Sequence, residues 1–156
     1  MAILTISDSV SRGEREDLSG SAVVAICRGL GWEIVGHLRT SDDAAGIREH
    51  LRELADSGRV DAILTAGGTG IGPRDNTPEA TQAVADRLIP GIPEEMRRKG
   101  AEQTPTSVLS RAVAAVRGKT LIVNLPGSPK GAAESLEAVA HLLPHAMHVL
   151  HGGNHD

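Results

Sequence analysis
A guanidinium and a carboxylate, Arg74 and Asp75, follow directly on Pro73 and on four glycines in six residues, Gly67-Gly68-Thr69-Gly70-Ile71-Gly72. Glycines at that density let the backbone turn where a Cβ would clash, and bring its N–H groups close to a ligand. Thr77-Pro78-Glu79 then reads as a helix start, with Thr77 of the N-cap type, Pro78 suited to the first helical position and Glu79 in the first turn. Free N–H groups and a helix dipole at one point favour an anion. The dipole is worth only about 0.3–1 kcal/mol, so specificity must come from the side chains. The loop lacks the lysine of GxxxxGK[ST] and the spacing of GxGxxG, and neither nucleotide fingerprint applies.

A second stretch, Asn124-Leu125-Pro126-Gly127-Ser128-Pro129-Lys130, repeats the device. Ser128 is expected to cap a helix, Pro129 to open it and Lys130 to bring a cation into its first turn. Two such loops suit a ligand with two phosphate-bearing ends. Asp42 and Asp43 are further carboxylates of interest. On spacing alone they are first-turn residues of a helix capped by Ser41, and Asp75 is equally a turn-forming Asp.

The elements that must position these groups alternate. Ala2 to Ile6 read as a strand that ends in Ser7-Asp8, followed by a polar loop from Val10 to Leu18 whose composition suggests mobility. Ser19 is expected to cap a helix with Val23, Ile26, Cys27 and Leu30 on one stripe, which puts Cys27 in the core as an inert thiol. A strand over Trp32–Leu38, a helix carrying Ile47, Leu51 and Leu54, the strand leading to Ala66 and a helix from Pro78 to about Leu88 follow. A short charged helix over 89–100 and a hairpin over 112–116 and 120–125 precede a last helix running to about Leu150.

The β-α-β-α-β-α order predicts a three-layer α/β/α sandwich, its sheet mostly parallel, with a β-hairpin before the last helix, and residues 1–156 forming one domain. Ligands of such sheets lie beyond the carboxyl ends of the strands, which points to Ser7-Asp8, to Gly67–Asp75 and to the loop after Leu125.

The chain has 156 residues, a net charge of −4, one cysteine, and Trp32 as its one aromatic residue. The acidic balance without a basic run argues against nucleic acid. One cysteine excludes an internal disulfide. Aliphatic walls or arginine must hold any flat ring, because Phe and Tyr are missing. With no long apolar span or signal-like start, the chain is expected to be cytoplasmic and free of the membrane. His141, His145 and His148, with His151 and His155 beyond, lie opposite the last helix's apolar stripe. They read as a solvated face before they read as a metal patch.

The run LTAGGTGIGPRDNTPEAT resembles the signature of the MoaB/Mog family of molybdenum-cofactor biosynthesis proteins. TISDSVSRG, EDLSG, GIPEEMRRKG, LSRAVAAVRG and LIVNLPGSPKGAAESL match further family segments in order, over nearly the whole chain. The resemblance implies adenylyl transfer from Mg-ATP to molybdopterin. It assigns catalysis and Mg²⁺ to Asp75 and Asp42, and it brings Ser7, Asp8, Ser110 and Arg111 to the pocket. Gly67, Gly68, Thr69, Gly70, Pro73, Arg74, Thr77, Pro78, Glu79, Asn124, Pro126, Gly127, Ser128 and Lys130 complete the expected substrate-binding set. Here TSDD stands where the family has a proline and one aspartate, so Asp43 rivals Asp42, and PGSPK stands where the family more often has PGNPK. The resemblance also implies a homo-oligomer, trimer or hexamer, and a molybdenum-inserting enzyme as a partner. A holder of molybdopterin without chemistry needs the same cradle, and the GIPEEMRRKG segment leans toward such a branch.

Overall fold
The computed structural model describes residues 1–155; Asp156, the last residue of the expected domain, lies outside them. Its strands are β1 (Ala2–Ile6), β2 (Gly36–Thr40), β3 (Ala62–Ala66), β4 (Arg87–Leu88), β5 (Ala114–Arg117) and β6 (Thr120–Leu125). They form one sheet in the order β2-β1-β3-β6-β5-β4. The first four in that order are parallel, β5 pairs antiparallel with β6, and β4 pairs antiparallel with β5.

The helices are α1 (Asp8–Ser11), α2 (Leu18–Gly29), α3 (Ala44–Asp56), α4 (Thr77–Val84), α5 (Gly91–Gln103), α6 (Pro129–Val139) and α7 (Leu143–Leu150). Side chains alternate across a strand, so the two faces of the sheet build two cores. Ile3, Leu64 and Val123 meet Val23 and Cys27 of α2, Met96 of α5 and Leu136 of α6 on one face. Leu4, Ile63 and Ile122 meet Ile47 and Leu51 of α3 and Val84 of α4 on the other. This is the expected three-layer sandwich, with its hairpin β5–β6 before the last helices. Burial pushes the Cys27 thiol up to about 11, as befits an inert core residue.

Several local expectations are corrected. The second strand is 36–40 rather than 32–38: it is an edge strand of polar sequence, placed by pairing Ala2 with Gly36 through to Ile6 with Thr40. Hydrophobic patterning cannot locate a strand that buries so little. The stretch Val10–Leu18 begins within a helical turn, Asp8–Ser11, capped by Ser7, whose Oγ accepts from Val10 N at 3.3 Å. Asp17, not Ser19, caps α2, its Oδ1 accepting from Gly20 N at 2.8 Å. Helix α4 stops at Val84, because Asp86 N donates to Val116 O at 2.7 Å and Ile89 N to Ala114 O at 2.8 Å, which draws Arg87–Leu88 into the sheet. The charged helix runs over 91–103 instead of 89–100. The last helix is broken by a 3₁₀ turn over Ala140–Leu142, just before Pro144, whose ring lacks the N–H that a continuous helix needs.

Candidate functional site
The carboxyl ends of β1, β2, β3 and β6 come together on one edge, where the two glycine-containing loops touch. Gly67 N donates to Leu125 O at 3.1 Å, and Ser7 N donates to Thr40 O at 2.9 Å. A Cβ on Gly67 would lie 2.1 Å from Ile6 O, and one on Gly127 would lie 3.4 Å from Gly67 Cα. Glycine is therefore a packing requirement here as well as a conformational one, with Gly67 at φ +114° and Gly68 at +69°.

Two cavities lie along this contact. The larger, about 390 Å³, is bounded by Thr69, Gly70, Ser110, Pro126, Gly127, Ser128 and Lys130 of the expected set. The smaller, about 240 Å³, is bounded by Ser7, Asp42, Gly67, Gly68, Asp75 and again Gly127. The backbone N–H groups of Gly68, Thr69, Gly70, Gly127 and Ser128 make no hydrogen bond among the described residues. They are the free donors that an anion requires.

The carboxylates are separated by their roles. Asp43 caps α3, its Oδ2 accepting from Gly46 N at 2.9 Å, so the expected cap at Ser41 is corrected. Asp42 points the other way. Its Oδ2 accepts from Asp8 N at 2.9 Å, and its own N donates to Asp8 Oδ1 at 3.0 Å. Burial, together with the charges of Asp8 and Asp75, raises the Asp42 carboxyl above its ordinary range. Asp75 Oδ2 accepts from Gly72 N at 2.8 Å. Oδ1 of Asp42 and of Asp75 accepts no hydrogen bond within the described residues, and both carboxylates line the smaller cavity. Two hard oxygen donors suit Mg²⁺ that completes its shell with phosphate and water. No group of three or more His, Cys, Asp or Glu among the described residues is placed to hold a metal alone.

The other expected residues divide by what they touch. Arg74 forks onto Asp8, with Nη2 3.0 Å from both carboxylate oxygens, and holds that carboxyl below its usual range. Its charge is thus shared with a carboxylate. Thr77 is buried and donates its hydroxyl to Gly67 O at 2.8 Å. The N-cap of α4 is Asn76, whose amide donates to Asp42 O at 2.9 Å, which corrects the cap expected at Thr77. Pro78 is buried behind it, and Pro73 stands exposed at the turn. Ser128 does cap α6, accepting from Gly131 N at 3.1 Å. Asn124 is fully buried, and its amide is spent between strands and helix. Nδ2 donates to Thr65 and Thr81 hydroxyls at 3.1 and 3.0 Å, and Oδ1 accepts from Val113 N at 3.2 Å.

Arg111 does not line either cavity but grips the first loop from behind. Nε donates to Gly70 O at 2.7 Å, Nη2 to Asp75 O at 2.8 Å, and its backbone N to Thr69 O at 2.8 Å. Nη1 bonds Glu79, which fixes the far side of the guanidinium. Removing this fork in Arg111→Ala frees both ends of the 70–75 turn. On the catalytic role that the resemblance implies for Asp75, turnover should fall by about 10²-fold through its displacement, and Arg111→Lys, which cannot bond Gly70 and Asp75 together, should recover little of it. Steady-state rates of the two variants check this; full activity in the lysine variant would show that charge alone suffices.

Arg97 and Glu134 at the larger cavity, and Arg15 at the smaller, were not singled out from sequence. The spacing Pro93, Met96, Arg97, Gly100 could have shown that one face of α5 meets the cavity. The histidines remain scattered: His141, His145 and His148 are exposed, the His145 and His155 rings are 6.3 Å apart, and His151 Nε2 lies 3.1 Å from Asp61.

Comparison with known proteins accords with this geometry. Residues 2–145 match the family described as "probable molybdopterin binding domain". A molybdopterin adenylyltransferase of Helicobacter pylori is 38% identical over 97% of this chain and 88% of its own length. The solved structure of the molybdopterin biosynthesis enzyme MoaB from Thermus thermophilus has a TM-score of 0.92 at 49% identity, covering 99% of this chain and 98% of that one. The Mog protein of Mycobacterium ulcerans has a TM-score of 0.88 at 39% identity, covering 96% and 97%.

Proposed function
This chain belongs to the molybdopterin-binding domain family of molybdenum-cofactor biosynthesis, and from that membership we propose that it is a molybdopterin adenylyltransferase. The reaction is ATP plus molybdopterin giving adenylyl-molybdopterin and pyrophosphate. An oxygen of the pterin's terminal phosphate attacks the α-phosphorus of ATP, and the bond from that phosphorus to the β-phosphate bridging oxygen breaks. The observation that carries this reading is the pair of cavities that share Gly127, the smaller of them edged by two carboxylates.

In this reading the free N–H groups of 68–70 and 127–128 bind phosphate oxygens, and Lys130 offsets charge at the larger cavity. Asp42 and Asp75 would hold Mg²⁺ through their uncommitted oxygens. An ion held there would neutralise charge between two anionic reactants. Arg111 and Arg74 keep the loop and its carboxylates in position, and positioning with fixed electrostatics supplies most of the rate. No helix among the described residues is long and apolar enough to cross a membrane. The same reading makes the protein cytoplasmic and homo-oligomeric, a trimer or hexamer, independent of nucleic acid, and a donor of its product to a molybdenum-inserting enzyme.

Incubation with molybdopterin and Mg-ATP should release one pyrophosphate per adenylyl-molybdopterin formed. A protein that binds molybdopterin tightly yet releases no pyrophosphate would be a holder, and the catalytic assignment would fall.

A further inference from the structure
Four side chains of the larger cavity's apolar wall are Ile71, Pro93, Met96 and Leu109. Trp32, the one aromatic residue, packs against the α2 side of the core and is not among the cavity's residues. A flat heterocycle in this cavity is therefore held by aliphatic contact, which does not distinguish one ring edge from another. Orientation must come from polar groups in the wall.

Three charged side chains are available there, Arg97, Lys130 and Glu134. Arg97 is already bonded to the carbonyls of Ser110 and Ala112, each at 3.2 Å from Nη1. Lys130 is three-quarters exposed and meets Glu134 only at 3.7 Å. Glu134 is the sole carboxylate lining the cavity among the described residues. Its side chain is two-thirds buried, and among the described residues it accepts no hydrogen bond shorter than that ion pair. The same wall holds Ser107, whose hydroxyl is buried with no hydrogen-bond partner among the described residues. Buried polar atoms without partners are uncommon in native proteins, and each calls for a physical account.

We propose that Glu134 reads the amino-pyrimidinone edge of a pterin, as the specificity-determining residue of the larger cavity. The proposal rests on the adenylyltransferase reading and names what that reading leaves open, the recognition of the ring. A 2-amino-4-oxo pyrimidine edge presents a ring N–H and an exocyclic N–H side by side. A carboxylate accepts both through its two oxygens, in a charge-assisted bidentate pair. The edge of adenine presents a donor beside an acceptor, and its acceptor would face a carboxylate oxygen. Glu134 thus admits pterin and disfavours adenine, which sorts the two substrates between the two cavities. A site built to bond donor groups discriminates strongly against a ring that lacks them, because its polar groups are left unpaired.

The test uses the full chain and two competing rings. Pterin has the exocyclic amine; lumazine has an oxo group in its place and is otherwise of the same shape. Glu134→Gln keeps the volume and replaces one acceptor by a donor. Molybdopterin affinity is expected to fall by about 10- to 100-fold in this variant, with ATP affinity and Tm little changed. Wild type should bind pterin in preference to lumazine, and the variant should lose that preference. If the variant binds molybdopterin as tightly as wild type and both treat the two rings alike, Glu134 does not read the edge, although the adenylyltransferase reading stands. If wild-type protein binds no molybdopterin at all, that reading fails and this proposal fails with it.

Discussion

Asp75→Asn is expected to bind molybdopterin as wild type does and to adenylylate it about 10³-fold more slowly, a barrier increase of about 4 kcal/mol. The substitution isolates the charge. Asn can accept from Gly72 N as Asp75 Oδ2 does at 2.8 Å, and the bond from Arg111 to the Asp75 carbonyl is untouched, so the loop keeps its form. What disappears is half of the carboxylate pair facing the smaller cavity. Product formation and molybdopterin affinity, measured at saturating Mg²⁺, separate the possibilities. A wild-type rate in the Asn variant would reduce Asp75 to a turn residue, and weakened binding with an unchanged rate would make it a substrate contact.

The second large effect is on stability. Gly67→Ala should cost roughly 3–5 kcal/mol, through a backbone conformation that L residues rarely adopt and a direct clash with the end of β1. At φ +114°, a Cβ would sit 2.1 Å from Ile6 O, and neither partner can swing aside because both are backbone. For a chain of this size that corresponds to a fall in Tm of about 6–20 °C. Gly118→Ala supplies the contrast. Its φ of +57° is also left-handed, but among the described residues nothing beyond its chain neighbours lies within 4 Å of its Cβ position. Only the conformational term applies, about 1 kcal/mol. Urea unfolding of both variants decides the matter. Equal losses would mean that the approach of β1 to the loop contributes nothing.

These two sites differ in how much of them could be read from sequence. The glycine loop, the proline at each helix start and the Ser128 cap are local. Each depends on backbone preferences within four or five residues, so LTAGGTGIGPRDNTPEAT and LPGSPK announced two strand–loop–helix corners. The alternation of strands and helices, and so the three-layer sandwich, was legible for the same reason. Buried parallel strands such as AILTI and AILTA are apolar but for one buried threonine each, because both faces are covered. β2 escaped because an edge strand with the sequence Gly-His-Leu-Arg-Thr has no such pattern to show. The end of α4 escaped because helix-compatible residues were captured by the sheet.

The sequence by itself determined the fold class, the two glycine-containing strand–loop–helix corners and the residue types within them. Only the tertiary structure decided which oxygen of which residue is free to act. Asp42 and Asp43 are neighbours in the chain and equal claimants in the sequence. They part because Asp43 is used by its own helix, while Asp42 meets Asp8, 34 residues away. Arg74 reads from the sequence only as the cation of its loop, and the fold pairs it with Asp8, 66 residues away. Asn124 was expected at the ligand and is bonded within the core instead. Caps and turns are set by neighbours in the chain, whereas the pairing of a charged or polar side chain is set by whichever distant segment folding brings within about 3 Å.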